Sequence, residues 1–351
     1  MITSASYTER ALATIVAVRR VLPIPDADKV CLAEINGWQC VIKKDEFVEG
    51  DLAIYYTIDT VPDPEDPNFD TVRHRGGRIK TIRLRGVLSQ GMLSPLSWLS
   101  DRGHDISGLV EGEDVTERMG LTKYISEEER DQYFPDGVGT DSDASRSGFP
   151  SDVPKTDENR LQNNPKLLEY IAGRTIVITR KEDGCSGTFM LKDGEFFLCG
   201  RNFAYHEPTG TNRNYYLIAT KLNIESKMRD LGRNIAVQGE IVGPKVNGNR
   251  LRLEEYQFRV FNVYCLDSHR YLLWADVIDI CATLGLDTVP VIFRGDASQL
   301  ELTISAFLDL ANDQRYAKNV VGEGIVVKTD DDGIRTSFKV ISNNYLLKHK
   351  L

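Results

Sequence analysis

The chain has 351 residues, more than one hydrophobic core usually organises, and is 41% hydrophobic, 27% charged and 9% aromatic. That composition excludes collagenous, low-complexity and wholly disordered chains, and no apolar run reaches the roughly 18–20 residues of a membrane-spanning helix. The net charge of −9 argues against a nucleic-acid partner on average, yet residues 101–160 alone hold sixteen acids against seven bases, leaving thirty-six of each elsewhere.

The start Met1-Ile2-Thr3-Ser4-Ala5-Ser6 lacks the charged and apolar stretches of a secretory leader, so an intracellular, cytoplasmic protein with no membrane contact is expected. Six cysteines without a C-x-x-C pair and five isolated histidines point to neither a disulfide framework nor a zinc site.

In chain order, Ala13–Val18, Val30–Ile35, Trp38–Ile42, Leu52–Thr57 and Ile79–Leu84 are short apolar runs separated by Gly37, Gly50 and other turn residues. Such punctuation predicts a small β-barrel over residues 1–100, of the five-stranded oligonucleotide-binding (OB) kind. Within it Arg73, Arg75, Arg78, Lys80, Arg83 and Arg85 fall in thirteen residues without a carboxylate. This stretch reads as a hairpin that tracks phosphates or as the solvated face of a half-buried strand. Residues 101–160 are expected to be an acidic linker or excursion.

From 161 to 351 strands and helices mix without β-α-β alternation, which predicts an α+β domain with largely antiparallel sheets. Thr175–Thr179 is strand-like, Gly187–Leu191 and Phe196–Cys199 flank Asp193-Gly194 as a hairpin, and Tyr215–Leu231 has helical spacing with a stop at Gly232. Strands Ile235–Val242, Phe258–Tyr264 and Gly324–Lys328 follow, with helices at Leu272–Leu284 and near Ser298–Leu310.

Two glycine patterns are decoys. Gly239 to Lys245 is one residue short of a phosphate loop and Pro244 removes an amide such a loop would use, while Gly322-Glu323-Gly324 lacks the third glycine of a dinucleotide fingerprint. What remains is an ordered set: Lys181-Glu182-Asp183-Gly184, Cys199-Gly200-Arg201-Asn202, Gln238 to Gly243, Phe258 to Tyr264, Glu323 to Lys328, and Ser337-Phe338-Lys339-Val340. Six short motifs in this order resemble the covalent lysine nucleotidyltransferases, the polynucleotide ligases and messenger-RNA capping enzymes, over roughly residues 165–351. With the barrel placed first, and with Arg85 to Gly91 in it, the chain looks most like the ATP-dependent RNA ligases of the Naegleria and Deinococcus type, RNA ligase family five.

The resemblance implies an RNA ligase that seals a 3′-hydroxyl to a 5′-phosphate at a nick through lysyl-AMP and an adenylylated polynucleotide, preferring RNA on the 3′-hydroxyl side. It implies Lys181 as nucleophile, Lys339 as a phosphate contact, and Asp183, Glu240 and Glu323 around Mg²⁺ or Mn²⁺ through its waters. A free lysine, with a pKa of about 10.4, is protonated at neutral pH, so nearby cations and desolvation are expected to make it neutral.

For the nucleotide, the resemblance puts Phe261 on one face of adenine and Val326, with Ile325 nearby, on the other. The backbone of Thr179 and Arg180 lies at the base edge, Gly184 beside the nucleophile and Arg201 near the ribose or terminal phosphate. Phe261 also fits plain core spacing and Arg201 a solvated charge. The basic stretch would bind the nucleic acid, and a monomer is expected.

Two departures stand out. Ser337 replaces the first lysine of the last motif, with Arg335 as a substitute, and Ser186 stands where DNA ligases commonly have arginine. The alternatives are an ATP-dependent DNA ligase, and a non-catalytic nucleic-acid-binding protein on a ligase scaffold.

Overall fold

Short β-branched and aromatic runs between positive-φ turn residues build the first part of the chain, and longer strands with helices packed against them build the rest. The computed structural model describes residues 10–125, 145–208 and 212–351. The expectations for Met1–Ser6 and for the middle of the acidic segment lie outside the described residues. Two compact units emerge, one drawn from Met1–Ile125, Gln162–Pro165 and Asn343–Leu351, the other from Ser126–Leu161 and Lys166–Ser342.

In the first unit Ala13–Ala17, Leu52–Tyr56 and Met92–Pro95 form one antiparallel sheet, and Arg20–Pro23, Val30–Ile35 and Trp38–Lys43 form another. The hairpin Thr81–Leu84/Val87–Gln90 closes on Trp38–Lys43, where Val41 N donates to Ser89 Oγ at 3.0 Å and Gln39 Nε2 to the Leu88 carbonyl at 2.8 Å. One core gathers Val16, Ala33, Ile35, Trp38, Tyr55 and Leu93; another gathers Leu12, Ile15, Ile54, Tyr56, Phe69 and Leu99.

The expected boundary at residue 100 is not one. Val115, Met119 and Leu121 are buried with Leu12, and Thr116 Oγ1 accepts the amides of Leu12 at 2.8 Å and Ala13 at 3.2 Å. The last helix, Asn343–His349, also belongs here: Gln90 Nε2 donates to Asn343 Oδ1 at 3.1 Å and the Thr81 amide to the Leu351 carbonyl at 2.9 Å.

Two large sheets organise the second unit, beside the two-stranded ribbon Arg315–Ala317/Val320–Val321. The larger runs Arg146–Gly148, Phe203–Tyr205, Glu195–Cys199, Cys185–Lys192, Ile235–Val242, Gln257–Cys265 and Arg270–Tyr271, with Asp287–Thr288 added in parallel to Gln257–Cys265. The smaller runs Val291–Asp296, Thr175–Lys181, Gly324–Thr329 and Ser337–Ile341, all antiparallel. The molecule is α+β, as expected.

Two helix expectations need correction. Residues 215–231 form not one helix but Arg213–Lys221 and Ile224–Leu231, because Asn223 takes the left-handed conformation at φ 50°. The helix expected from Ser298 starts at Ile304, after a 3-10 turn at Ala297–Gln299, and is capped by Thr303, whose side chain accepts the Ala306 amide at 3.2 Å. Strands Val291–Asp296 and Ser337–Ile341 complete the smaller sheet. Among the described residues no helix is long and apolar enough to cross a membrane.

Candidate active site

Alternation along Thr175–Lys181 decides what faces the site. Ile176 and Ile178 sink into a core with Ile325, Val327, Phe338 and Val340, so Thr179 and Lys181 turn to the opposite face. Their cross-strand partners there are Val326 and Gly324, and Lys339 is paired in turn with Val326. After Lys181 the chain passes through Glu182-Asp183-Gly184 into Cys185–Lys192 of the larger sheet. Gly184 is required by space: a Cβ there would lie 2.2 Å from the Ile241 carbonyl oxygen and 2.9 Å from Glu240 Cγ.

Three carboxylates surround the Lys181 amine. Glu323 Oε2 accepts from Nζ at 2.8 Å, and Glu240 Oε1 accepts the Gly184 amide at 3.0 Å. Burial alone would lower the pKa of Lys181, but Glu323, Glu240 and Asp183 outweigh it and hold the ammonium above its usual range. The expected neutral amine counted on Lys339 together with a divalent metal; the three carboxylates outweigh burial and Lys339 alone. Burial pushes Glu240 up to about 8, with Lys181 opposing, and likewise raises Glu323. Asp183, 5% exposed, is tied to Arg250 at 3.0 Å and to Asn247 Nδ2 at 3.1 Å. Among the described residues no three His, Cys, Asp or Glu side chains form a direct metal cage. Oxygen donors carrying this much buried negative charge fit a hydrated divalent cation.

A cationic group flanks them. Burial pushes Lys339 down to about 8; Asp157 opposes this, while Lys181, Arg160 and Arg201 add to it. Arg201 pairs with a carboxylate at the solvent boundary: its Nη2 meets Asp157 Oδ2 at 2.5 Å. Residues 154–160 form a strap stitched to several motifs at once. The Pro154 carbonyl accepts Gln238 Nε2 at 2.9 Å, Thr156 Oγ1 meets Ser186 Oγ at 2.6 Å, and Glu158 Oε2 accepts Ser337 Oγ at 2.5 Å. The Asn159 carbonyl accepts the Lys339 amide at 2.8 Å. Ser337 is therefore part of a hydrogen-bonded strap, with Arg335 3.7 Å from the same Glu158 carboxylate.

Phe261 owes its position to a bulge. The register between Ile235–Val242 and Gln257–Cys265 pairs Gln238 with Asn262 but Gly239 with Val260, so Phe261 is the extra residue. Bulges of this kind re-aim one side chain and leave it outside the ladder. Val326 is half-buried, as Phe261 is, whereas Ile325 is fully buried in the core behind the strand and does not share its face. Arg180 is spent on structure: its amide donates to the Pro290 carbonyl at 2.8 Å, its guanidinium reaches Glu182 at 2.7 Å and the Arg315 carbonyl at 2.9 Å. Thr179 is 1% exposed, its hydroxyl 3.5 Å from the Val326 carbonyl.

The structure adds residues that sequence reasoning missed. Glu182 is buried between Arg180 and Arg259, the latter at 3.0 Å. The Tyr316 hydroxyl donates to the Lys181 carbonyl at 2.9 Å and accepts the Glu323 amide at 3.1 Å, linking the Lys181 strand to Glu323. Arg250 and Arg160 join the charged groups. Only Lys328 left a signal, a lysine inside an otherwise apolar strand.

The basic stretch belongs to the first unit and is not uniform. Arg73, Arg75, Arg83 and Arg85 are exposed and Lys80 half-buried, with Arg73 paired to Asp70. Arg78 departs from the expected phosphate surface: 8% exposed, it lies 3.5 Å from Asp59, donates to the Lys350 carbonyl at 2.8 Å and stacks on Tyr124.

Comparison with known proteins matches residues 12–96 to an OB-fold domain model and residues 174–341 to an RNA ligase model. Solved structures of Naegleria gruberi RNA ligase superpose along nearly the whole chain. The form with PPi is 33% identical at a TM-score of 0.82, covering 97% of this chain and 99% of that one. Variants with ATP and Mn are 32% identical at 0.83, with 97% of this chain and 99% of that chain covered in one case and 97% and 100% in another. A variant with AMP and Mn is 32% identical at 0.83, covering 97% and 99%. No curated protein matches.

Proposed function

The chain belongs to the RNA ligase family and is an ATP-dependent RNA ligase acting on nucleic acid, and we propose that it seals nicks through a lysyl-AMP on Lys181. The observation that carries this is the Lys181 amine set against Glu323 Oε2 at 2.8 Å, among Glu240 and Asp183, and near enough to Lys339 to lower that lysine's pKa.

In the first step Lys181 Nζ attacks the α-phosphorus of ATP, the bond to the β-phosphate oxygen breaks, and pyrophosphate leaves. The attacking ammonium must first give up a proton, and Glu323, whose Oε2 accepts from Nζ at 2.8 Å, is placed to take it. Lys339, Arg160 and Arg201 offer positive charge to the phosphates where charge develops. Glu240, Glu323 and Asp183 would hold the Mg²⁺ or Mn²⁺ through its waters, supplying positive charge that offsets these carboxylates. Phe261 and Val326 flank the purine. AMP then passes to the 5′-phosphate of the nick, and attack by the 3′-hydroxyl releases AMP. Preference for RNA on the 3′-hydroxyl side would be read through the 2′-hydroxyl. The exposed Arg73, Arg75, Arg83 and Arg85, with Lys80, contribute to RNA binding; Arg78 does not.

Intact mass after incubation with ATP and Mn²⁺ tests the first step. Wild type should gain one AMP, and Lys181→Ala should gain none; an adduct in the variant would assign the nucleophile elsewhere. Equal sealing of all-DNA nicks would favour the DNA-ligase reading.

A further inference from the structure

Lys328 sits two residues beyond Val326 on the same strand, hence on the same face. It is 3% exposed, and its Nζ donates to the Phe261 carbonyl at 2.7 Å and to Asn262 Oδ1 at 3.0 Å. The same amine lies over the rings of Phe261 and Trp274, 5.4 and 5.8 Å from their centroids. Asn262 Oδ1 also accepts from Arg335 Nη2 at 3.2 Å, which fixes the amide.

A buried lysine amine is costly unless its hydrogens are used, and a leucine or methionine would fill this volume without that cost. What the amine does with its hydrogens is specific. Phe261 is the extra residue of a bulge, and a bulge residue is left out of the ladder. The amine supplies a partner for its carbonyl. One strand thus carries both Val326 and a tether to Phe261 of the larger sheet.

We infer that Lys328 is a positioning residue of the nucleotide site, holding the Phe261 ring at the spacing from Val326 that admits a purine. The inference rests on the reading of Phe261 and Val326 as the two walls of that slot. Charged or neutral, the amine keeps a hydrogen for the Phe261 carbonyl, so the tether does not depend on its protonation.

The test measures lysyl-AMP formation against ATP concentration in the full chain with Mn²⁺, for wild type, Lys328→Met, Lys328→Arg, Phe261→Leu and the Lys328→Met/Phe261→Leu double variant. Lys328→Met should raise the half-saturating ATP concentration about tenfold while the maximal rate stays within about threefold, and the double variant should be no worse than the worse single one, because both changes act through one ring. Lys328→Arg should recover most of the affinity. Additive losses in the double variant, or a lowered maximal rate at unchanged half-saturation, would overturn the role of Lys328. If Phe261→Leu itself leaves half-saturation unchanged, the purine-wall reading fails instead. Thermal unfolding midpoints identify any variant that is not folded. Should Lys328→Met be one, Lys328→Gln, too short to reach the carbonyl, carries the same expectation.

Discussion

The carboxylates around Lys181 hold it as an ammonium against Glu323 in the free protein, whereas the nucleophilic role proposed for it needs the neutral amine. The clamp is electrostatic: three carboxylates outweigh burial, so cancelling one of them should free the amine before any nucleotide arrives. Glu323→Gln should therefore label several-fold faster at Lys181 with an amine-reactive reagent at fixed pH and without metal, read by peptide mass. An unchanged labelling rate would mean that Glu323 does not set the protonation of Lys181.

Lys328 behaves oppositely, since burial, with Arg335 adding and Glu158 opposing, pushes it down to about 7. Between that value and its unfolded pKa of about 10.4, the unfolded chain binds a proton that the folded chain does not, so stability rises with pH there by up to about 1.4 kcal/mol per unit. Below that window both states are protonated and the cost of the buried charge is fully present. The unfolding free energy of wild type relative to Lys328→Met should thus climb with pH across this range in denaturant titrations; a flat difference would refute the shift.

At the scale of elements, the break between Arg213–Lys221 and Ile224–Leu231 rests on one residue. Asn223 sits at φ 50°, ψ 41°, a conformation that asparagine tolerates and a β-branched residue does not. Asn223→Gly should be nearly neutral, and Asn223→Val should cost about 1–2 kcal/mol. That cost lowers the unfolding midpoint by roughly 2–8 °C, measurable by thermal melts. Helical spacing across 215–231 concealed the break because apolar periodicity continues through it, with Ile218, Ile224 and Met228 all buried in one core. The bulge at Phe261 was equally hidden, since an extra residue in a strand changes register without changing composition.

Over the whole molecule the charge is segregated. The exposed basic stretch of the first unit stands against a net charge of −9, and each phosphate contact it makes should contribute about 0.7–0.9 to the slope of log affinity against log salt. Reversing Arg75, Arg83 and Arg85 should weaken RNA binding and flatten that slope in titrations at several salt concentrations. Arg78→Glu should instead lower the stability of its unit, because it removes the Asp59 pair and the hydrogen bond to the Lys350 carbonyl. Unfolding melts of the two sets of variants separate the effects.

Local pattern was enough to find most strands and the ordered motifs, because alternation and glycine punctuation are properties of neighbouring residues. Glu240 and Glu323 stood out for that reason, as charges inside apolar runs where burial demands a partner or a task, whereas Lys181 and Lys339 stood out only through the ordered motifs. Tertiary structure alone decided the partners. Arg250 reaches Asp183 across sixty-seven positions and Gln90 meets Asn343 across two hundred and fifty-three. It also decided that residues 101–125 and the final helix complete the first unit, and that the strap at 154–160 binds the motifs. Contacts of such separation leave no periodic trace in the chain; they follow from which faces the packed sheets leave for charged side chains, and that exists only once the cores have formed.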